Sequence, residues 1–384
     1  MKKHRLFLNF FLSVLFIIII FFVIIDKVFI ITNDIKNSEN RTLATIPILD
    51  INKLDAFPSN YENYFNDHFT FRNLIIRYYS YFNAVIIKKS PTHKVIIGKN
   101  DWYFYNEIHG NAYRGILRFN KQELSEFRKE IYYRNNFLSK RGIKYYFVIV
   151  PTKYSVYSEY LPYYFKPLNP QTMADQITNL FKNDTNINII DIRQAIRNAK
   201  IKTNLRLYYK TDSHWNFAGG FFGYQAIINY IKRDFPKIYQ TKFEDYNIDS
   251  VEFAKGDLAK FLSLENILSE NKIIFTPKFK SNVTNGEKHN YDCGNFKDTA
   301  NFEKVKINKS SHGPKAIFVV DSYNHGLENF MPESFHKCVF IWDNWEYKLN
   351  ENIVESEKPD AMFTIIAECQ LKEILKNLSY KNAK

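Results

Sequence analysis

The pattern of hydrophobic positions begins with a nearly continuous apolar run over residues 6–25, preceded by basic residues at 2–5. A helix of this length spans about 30 Å, the thickness of a bilayer core. A cleaved secretory signal would have a shorter apolar region followed by small residues, whereas Asp26 and Lys27 follow this run. Because the run is apolar on all faces, it predicts a retained transmembrane signal anchor rather than a buried core helix. Residues 1–5 are expected in the cytoplasm, since positive charge stays on that side.

The pattern after the anchor predicts a polar stalk over 26–59 and an exported domain over 60–384. Apolar residues recur at helical spacing over 60–89 and again over 121–141. A single transmembrane helix would therefore hold the domain at a bacterial inner membrane. The domain itself is expected on the periplasmic or extracellular side.

Short apolar runs alternate with helical patterns through most of the remaining chain. The runs lie at 145–150, 187–190, 316–320, 339–342 and 362–366. Helical patterns lie between several of them, notably at 170–182 and 216–234. Continuous apolar strands are buried on both faces, which is typical of a parallel sheet covered by helices. The pattern therefore predicts an α/β three-layer domain with a parallel sheet, and a polar insertion of loops and edge strands near 263–311.

Composition narrows the classes of partner. The 384-residue chain has a formal net charge of +13, which favours anionic surroundings such as phospholipid headgroups or acidic glycans. The basic residues are scattered among acidic ones and no nucleic-acid-binding motif occurs, so no nucleic-acid partner is predicted. Cys293, Cys338 and Cys369 are too far apart for a zinc ribbon or a redox pair. No CxxC, HExxH or phosphate-binding loop motif occurs, so no metal or cofactor is predicted.

One candidate for chemistry follows the apolar run at 316–320, where the chain continues Asp321-Ser322. Open α/β sheets place their sites at the carboxyl ends of their strands. A serine there has an accessible hydroxyl and a free backbone N–H, which suit a nucleophile with one oxyanion donor. The alternative is that Asp321 and Ser322 only form a turn or cap a helix.

A second candidate is the segment Asp212-Ser213-His214-Trp215, directly before the helical pattern at 216–234. An Asp two residues before a His in a non-helical segment can place both side chains on one side of the backbone. The carboxylate can then hold imidazole Nδ1–H while Nε2 faces a nucleophile. The alternative is that Asp212 or Ser213 caps the helix and His214 packs beside Trp215.

The two segments together supply a serine, a base and an orienting acid. Serine is a weak nucleophile until a positioned imidazole accepts its proton, and the imidazolium that forms needs an anion beside it. Ser322, His214 and Asp212 are therefore predicted to form an acyl-transfer triad. No G-x-S-x-G elbow occurs, so the chain is not an ordinary α/β-hydrolase.

These residues, with other segments in the same order, make the chain similar to the alginate O-acetyltransferase family of the AlgJ/AlgX type, whose domain is SGNH-hydrolase-like. The aspartate-x-histidine-tryptophan motif is the most specific element of the resemblance. The matching segments are 39–41, 58–67, Arg72, 94–104, 150–153, Tyr157, 161–162, 207–216, 256–258 and 321–323.

The resemblance implies that Ser322 is the acyl-accepting nucleophile, His214 the base and Asp212 its partner. Members of the family move acetyl groups onto exported polysaccharide, usually beside a multi-pass membrane acyltransferase that supplies acetyl. The base and the acid precede the serine in this chain, an order shared with the alginate group.

The chain departs from the family where Val320 replaces a glycine and 323–326 has another pattern. The second oxyanion donor is therefore open between Asn324 and the Gly326 N–H. Trp215 and Trp102 can each stack on a sugar ring or belong to the core. His325 is expected to be a surface or packing histidine. Glu368 either matches an acidic residue of the relatives or begins a helix.

The predicted function is O-acetyl transfer to an exported or cell-envelope polysaccharide through an acetyl-Ser322 intermediate that a sugar hydroxyl resolves. A carbohydrate acetylesterase, in which water resolves the same intermediate, is an alternative. A non-catalytic polysaccharide-binding or assembly scaffold is another, although such a scaffold would more readily have lost one of the three residues.

Overall fold

The structure is a computed structural model that describes residues 2–29, 42–69, 72–254, 256–289 and 302–382. The chain divides into two compact units, one of residues 1–92 with 259–267 and the other of residues 93–258 with 268–384. Part of the predicted stalk, at 30–41, and part of the predicted polar insertion, at 290–301, lie outside the described residues.

The first unit is helical. Its helices are α1 (Lys2–Phe29), a 3₁₀ turn (Ile51–Ala56), α2 (Phe57–Asp67), α3 (Arg72–Tyr81) and a π-helical turn (Phe82–Ile87).

The predicted transmembrane helix over 6–25 is not supported by the structure. Helix α1 contains this segment, but among the residues that the structure describes no helix is both long and apolar enough to cross a membrane. The side chains of residues 6, 19, 20 and 23–25 lie outside the described set.

The second unit is built on a central sheet of mostly parallel strands. The eleven strands among the described residues are β1 (Val95–Ile97), β2 (Tyr103–Tyr105), β3 (Lys144–Val150), β4 (Ile189–Asp191), β5 (Tyr246–Ala254), β6 (Ser269–Pro277), β7 (Val283–Asn285), β8 (Glu303–Asn308), β9 (Lys315–Val319), β10 (Lys337–Ile341) and β11 (Ala361–Ala367). Seven of them form the central sheet in the order β4-β3-β11-β9-β10-β8-β7.

The five predicted apolar runs are the five neighbouring parallel strands of this sheet. The pairs β4–β3, β3–β11, β11–β9 and β9–β10 are parallel. Every residue of β11 is buried, as expected for a strand in the middle of a sheet. The prediction of an α/β domain with a parallel central sheet is confirmed.

Three of the described strands lie in the stretch for which a polar insertion is predicted. Strands β8 and β7 extend the sheet beyond β10 by antiparallel pairing. Strand β6 also lies in this polar stretch, where it pairs along its whole length with β5. The β5–β6 hairpin was not predicted, because its two strands are rich in polar residues and only weakly alternating. A small hairpin of β1 and β2 completes the strands described.

Helices connect the strands. In the second unit they include α4 (Asn111–Tyr113), α5 (Lys121–Ser139), α6 (Lys153–Tyr157), α7 (Met173–Phe181), α8 (Arg193–Lys202), α9 (Phe217–Ile231), α11 (Asn324–Leu327), α12 (Met331–Ser334), α13 (Glu351–Glu357) and α14 (Ser379–Asn382). Helix α10 (Asp257–Phe261) begins at the boundary between the two units. The helices predicted over 121–141, 170–182 and 216–234 correspond to α5, α7 and α9.

A close approach of two helices brings the segments with the candidate residues together. A Cβ on Gly220 of α9 would lie 2.4 Å from the Cα of Gly326 in α11, so only hydrogen fits between the two backbones. Beside this contact Trp215 Nε1 donates a hydrogen bond of 2.8 Å to the carbonyl of Tyr323. The segment before α9 is thereby fixed against the turn that follows β9.

The Gly220→Ala variant is expected to lose about 1–3 kcal/mol of unfolding free energy, because its methyl group meets backbone that cannot move aside. Urea denaturation of the full-length chain, followed by circular dichroism, measures this loss. Asn229→Ala, at an exposed position of the same helix, is the matched control. Equal stability of the two variants would contradict the close approach of α9 and α11.

Candidate active site

Ser322 lies just beyond the carboxyl end of β9, and the neighbouring Asp321 fixes the turn that presents it. The buried Asp321 carboxylate accepts hydrogen bonds from Tyr323 N–H at 2.9 Å and Ala367 N–H at 2.8 Å. Tyr347 donates its hydroxyl to the same carboxylate at 3.0 Å. Burial raises the pKa of Asp321, and these three hydrogen bonds oppose that rise. Asp321 therefore ties the end of β9 to the end of β11 and sets the position of Ser322.

His214 lies in the short non-helical segment before α9. Tyr208 pairs with Trp215 in an isolated antiparallel bridge, and Asn216 donates its backbone N–H to Leu207 at 3.0 Å. The Asn216 side chain caps α9 by accepting the Gly219 N–H at 3.1 Å. The alternative in which Asp212 or Ser213 caps this helix is therefore wrong, and both side chains are available for other partners.

A continuous line of hydrogen bonds joins the three residues predicted to form a triad. His214 Nε2 lies 2.8 Å from Ser322 Oγ, and His214 Nδ1 lies 2.7 Å from Asp212 Oδ1. The same carboxylate oxygen accepts the backbone N–H of His214 at 3.0 Å. The imidazole is thus held in the tautomer that carries hydrogen on Nδ1 and leaves Nε2 facing the serine.

The charges around the imidazole favour its protonated form. Burial alone would lower the pKa of His214, but the hydrogen bond and charge of Asp212, followed by the charges of Asp257 and Asp321, raise it to about 9. Burial alone would raise the pKa of Asp212, but the hydrogen bonds and charge of His214 lower it well below its usual range. The site therefore stabilises an imidazolium–carboxylate pair, the charge state that forms when a serine hydroxyl gives up its proton.

Two further residues anchor the loop that carries Asp212, and sequence reasoning assigned a role to neither. Glu270 of β6 accepts the backbone N–H groups of Lys210 at 2.8 Å and Thr211 at 2.7 Å. The buried Lys153 amine donates to the carbonyls of Tyr103 at 2.8 Å and Lys210 at 3.2 Å. Burial lowers the pKa of Lys153 to about 8, and nearby carboxylates oppose that effect. Lys153 lies in one of the segments of the family resemblance, but only the fold shows what it holds.

The two tryptophans considered as sugar contacts belong to the core. Trp102 and Trp215 are 2% and 3% exposed. Trp102 stacks on Tyr157 at 4.3 Å and on Tyr160 at 4.9 Å between ring centroids. Since Trp215 uses its only donor on Tyr323, the structure gives it a packing role rather than the predicted substrate contact.

The residues considered for an oxyanion site differ in what they can offer. The Ser322 backbone N–H meets no acceptor within the described ranges and remains available. The Gly326 N–H points to the Tyr323 carbonyl at 3.4 Å. A glycine is needed at this position because its backbone packs against Gly220. Asn324 donates its side-chain amide to Glu328 at 3.1 Å. The Ser322 N–H is thus one available donor, and the Gly326 N–H is directed to Tyr323. The second amide hydrogen of Asn324 stays a predicted donor, since this side chain lines the space beside Ser322.

A cavity of about 260 Å³ opens beside Ser322. Its wall combines apolar and polar side chains: Val320, Phe340, Trp342, Asn324, Lys304 and His325. His325 is exposed at the surface, as predicted. The cavity has room for a small acyl group or for part of a sugar ring at the serine hydroxyl.

Glu368 has a structural task. Its carboxylate accepts the Thr152 backbone N–H and hydroxyl, both at 2.8 Å, and the Ser155 hydroxyl at 2.5 Å. Thr152 immediately precedes α6, so Glu368 fixes the start of a helix that is distant in sequence. Glu368 itself lies in a turn and does not begin the helical segment that follows it, which starts at Leu371.

Among the described residues, two groups of side chains have the spacing of metal ligands. One group is Asp212, His214 and Asp257. In this group His214 Nδ1 is already hydrogen-bonded to Asp212. The other is His289, Glu303 and Glu357. There each ring nitrogen of His289 lies 3.0 Å from a different carboxylate, Nδ1 from Glu303 and Nε2 from Glu357.

Comparison with known proteins identifies the family. A family model described as "SGNH hydrolase-like domain, acetyltransferase AlgX" matches residues 95–289, about half of the chain. The chain belongs to this family. The matched range contains Asp212 and His214 and ends before Ser322, which the fold brings to them. No curated protein matches the chain.

Solved structures show the same fold at low sequence identity. Bacillus cereus PatB1, solved with a sulfonyl adduct, is 20% identical with a TM-score of 0.52, over 72% of this chain and 97% of that one. A DHHW family protein from Eubacterium siraeum is 15% identical with a TM-score of 0.50, over 72% and 92% of the two chains. The O-acetyltransferase domain of Pseudomonas putida AlgJ is 18% identical with a TM-score of 0.45, over 74% and 94%. At such identities the first two likenesses establish the fold alone.

His214 is expected to titrate near pH 9 in the unaltered protein. In the Asp212→Asn variant it should titrate at a clearly lower pH, because the main anion that stabilises its imidazolium is gone. Nuclear magnetic resonance of histidine-labelled full-length protein, with His214 assigned from the His214→Ala variant, measures both values. A His214 titration at the ordinary histidine pH in the unaltered protein would contradict the arrangement.

Proposed function

We propose that this protein is an O-acetyltransferase that moves acetyl groups onto hydroxyls of an exported or cell-envelope polysaccharide through an acetyl-Ser322 intermediate. The observation that carries the proposal is the line of hydrogen bonds from Ser322 through His214 to Asp212 at the carboxyl end of a parallel sheet. Membership of the AlgX-type acetyltransferase family gives acetyl as the acyl group.

In the first half of the reaction Ser322 Oγ attacks the carbonyl carbon of an acetyl ester, and its proton passes to His214 Nε2. The negative oxygen of the tetrahedral intermediate lies near the free Ser322 N–H. When the intermediate collapses, the bond to the donor oxygen breaks and His214 returns the proton to that oxygen. Asp212 stays ionised throughout and stabilises the imidazolium.

In the second half a sugar hydroxyl enters beside the acetyl-serine. His214 Nε2 accepts the hydroxyl proton as the oxygen attacks the acetyl carbon, and Ser322 Oγ leaves and recovers that proton. The products are an acetylated sugar and free Ser322. Water can replace the sugar, which is the acetylesterase alternative. The cavity beside Ser322 favours transfer because a bound acceptor would fill it and exclude water.

The scaffold alternative is less well supported. A protein that only binds polysaccharide has no use for an imidazole held between a serine and a carboxylate at 2.8 and 2.7 Å. The exported location, the polysaccharide acceptor and the multi-pass membrane acyltransferase as acetyl supplier remain predictions.

Ser322→Ala is expected to lower the rate of acetyl transfer by at least ~10³-fold, because the nucleophilic oxygen is absent. The variant should still fold. The full-length chain is incubated with p-nitrophenyl acetate, with and without an oligosaccharide acceptor, and analysed by intact mass. A covalent acetyl group that moves to sugar supports the transferase, and one released only as acetate supports the esterase.

Ser310→Ala, at an exposed turn, is the control and should behave as the unaltered chain. Equal acetylation of the Ser322→Ala protein would refute the assignment of the nucleophile. Failure of p-nitrophenyl acetate, and of a sulfonyl fluoride, to label the unaltered chain would favour the scaffold.

A further inference from the structure

The segment Gly256-Asp257-Leu258 belongs to the family resemblance, but the triad leaves it without a role. In the fold it lies against the loop that carries Asp212. A Cβ on Gly256 would lie 2.3 Å from the Thr211 carbonyl oxygen, and the Leu258 N–H donates to that same oxygen at 3.1 Å. The glycine is therefore required for the backbones of the two segments to touch.

The two segments exchange hydrogen bonds reciprocally. Asp257 donates its backbone N–H to Asp212 Oδ2 at 3.0 Å. In return the Asp257 carboxylate accepts the Ser213 N–H at 2.7 Å on Oδ1 and the Ser213 hydroxyl on Oδ2. Because Oδ2 of Asp212 is occupied, its Oδ1 is the oxygen left for His214.

The Asp257 carboxylate also faces the imidazole. Its Oδ2 lies 3.8 Å from His214 Nδ1, and the Ser213 hydroxyl that it holds lies 3.4 Å from the same nitrogen. His214 Nδ1 thus contacts the Asp212 carboxylate directly. The Asp257 carboxylate lies behind the Ser213 hydroxyl. Two carboxylates this close repel each other unless a cation lies between them, and an imidazolium is such a cation.

Other titratable groups near His214 contribute less or carry no charge. The charge of Asp321 also raises the pKa of His214, after that of Asp257, and its carboxylate is engaged by Tyr323, Ala367 and Tyr347. The ring of Tyr323 lies 5.2 Å from that of His214 and carries no charge at neutral pH. His109 is buried, and burial lowers its pKa to about 3, so it is uncharged.

We infer that Asp257 is a positioning residue for His214, a second acid that holds Ser213 against the imidazole and adds its charge to that of Asp212 when the imidazolium forms. The role rests on the proposed function, since acyl transfer is the reaction in which the imidazolium forms.

The test is the Asp257→Asn variant, which keeps the shape of the side chain and removes its charge. The rate of acyl transfer, as kcat/KM for p-nitrophenyl acetate, is expected to fall about 10- to 100-fold, with most of the loss in kcat. Activity requires neutral His214 and is lost as the pH falls through its pKa. Removal of a nearby anion lowers that pKa, so the acid limb of the pH–rate profile should move about one unit toward lower pH.

Ser213→Ala is the matched variant. It removes the hydroxyl between Asp257 and the ring but leaves the charge of Asp257 in place, so its acid limb should stay near that of the unaltered chain. The acid limb of the pH–rate profile of Asp257→Asn could also stay in place, with the rate lowered equally at every pH. Asp257 would then be only structural, and the inference would be overturned.

A readout independent of catalysis separates this inference from the proposed function. The His214 titration, followed by nuclear magnetic resonance, should move to lower pH in Asp257→Asn and not in Ser213→Ala even if the protein transfers no acetyl. If the asparagine variant does not fold, Asp257→Glu keeps the charge and should retain the unaltered titration. The pKa of His214 in Asp257→Glu could instead fall as far as is expected for Asp257→Asn. That result would count against the charge of residue 257 as the cause.

Discussion

The hydrogen bond between Ser322 and His214 joins two segments 108 residues apart in sequence, and every other feature of the site depends on how the fold achieves that meeting. The serine comes from the end of a buried parallel strand, and the Asp321 carboxylate fixes it to the neighbouring strand β11. The histidine comes from a non-helical segment before α9, which the Trp215–Tyr323 hydrogen bond and the Gly220–Gly326 contact hold against the turn after β9. A small displacement of either segment would lengthen the bond beyond the reach of proton transfer.

The second constraint is electrostatic. An imidazole among three carboxylates has a raised pKa, which makes it a strong proton acceptor once deprotonated but leaves it largely protonated at neutral pH. The neutral imidazole that accepts the serine proton is therefore expected to become more populated, and activity to rise, as the pH rises toward 9. The buried Lys153 amine, whose own pKa is lowered by burial, holds the Asp212 loop by donating to carbonyls rather than by forming an ion pair.

Sequence reasoning succeeded where a local pattern determines structure. Each central parallel strand is a continuous apolar run, and the ends of such strands are where residues such as Ser322 are expected to act. It failed where distant segments decide the outcome. Asp257 meets Asp212 across 45 positions, and no spacing rule connects them. The β5–β6 hairpin is too polar to stand out, and its Glu270 anchors a loop 59 residues away.

The predicted second oxyanion donors illustrate the same limit on a shorter scale. Asn324 and Gly326 follow Ser322 closely, but the first donates to Glu328 and the second packs against Gly220. Trp215 was a reasonable candidate for a sugar contact from its place beside His214, yet the hydrogen bond to Tyr323 directs it into the core. The role of each of these residues depends on the partner that the fold places beside it. The sequence around the residue does not identify that partner.

The central claim is that folding makes Ser322 the reactive serine by placing His214 beside it. The most direct measurement is labelling of the full-length chain with a sulfonyl fluoride, followed by peptide mapping by mass spectrometry, in the unaltered protein and in His214→Ala. We expect one modified serine, Ser322, and near-complete loss of the modification in the histidine variant. Modification of another serine, or equal modification of Ser322 without His214, would contradict it.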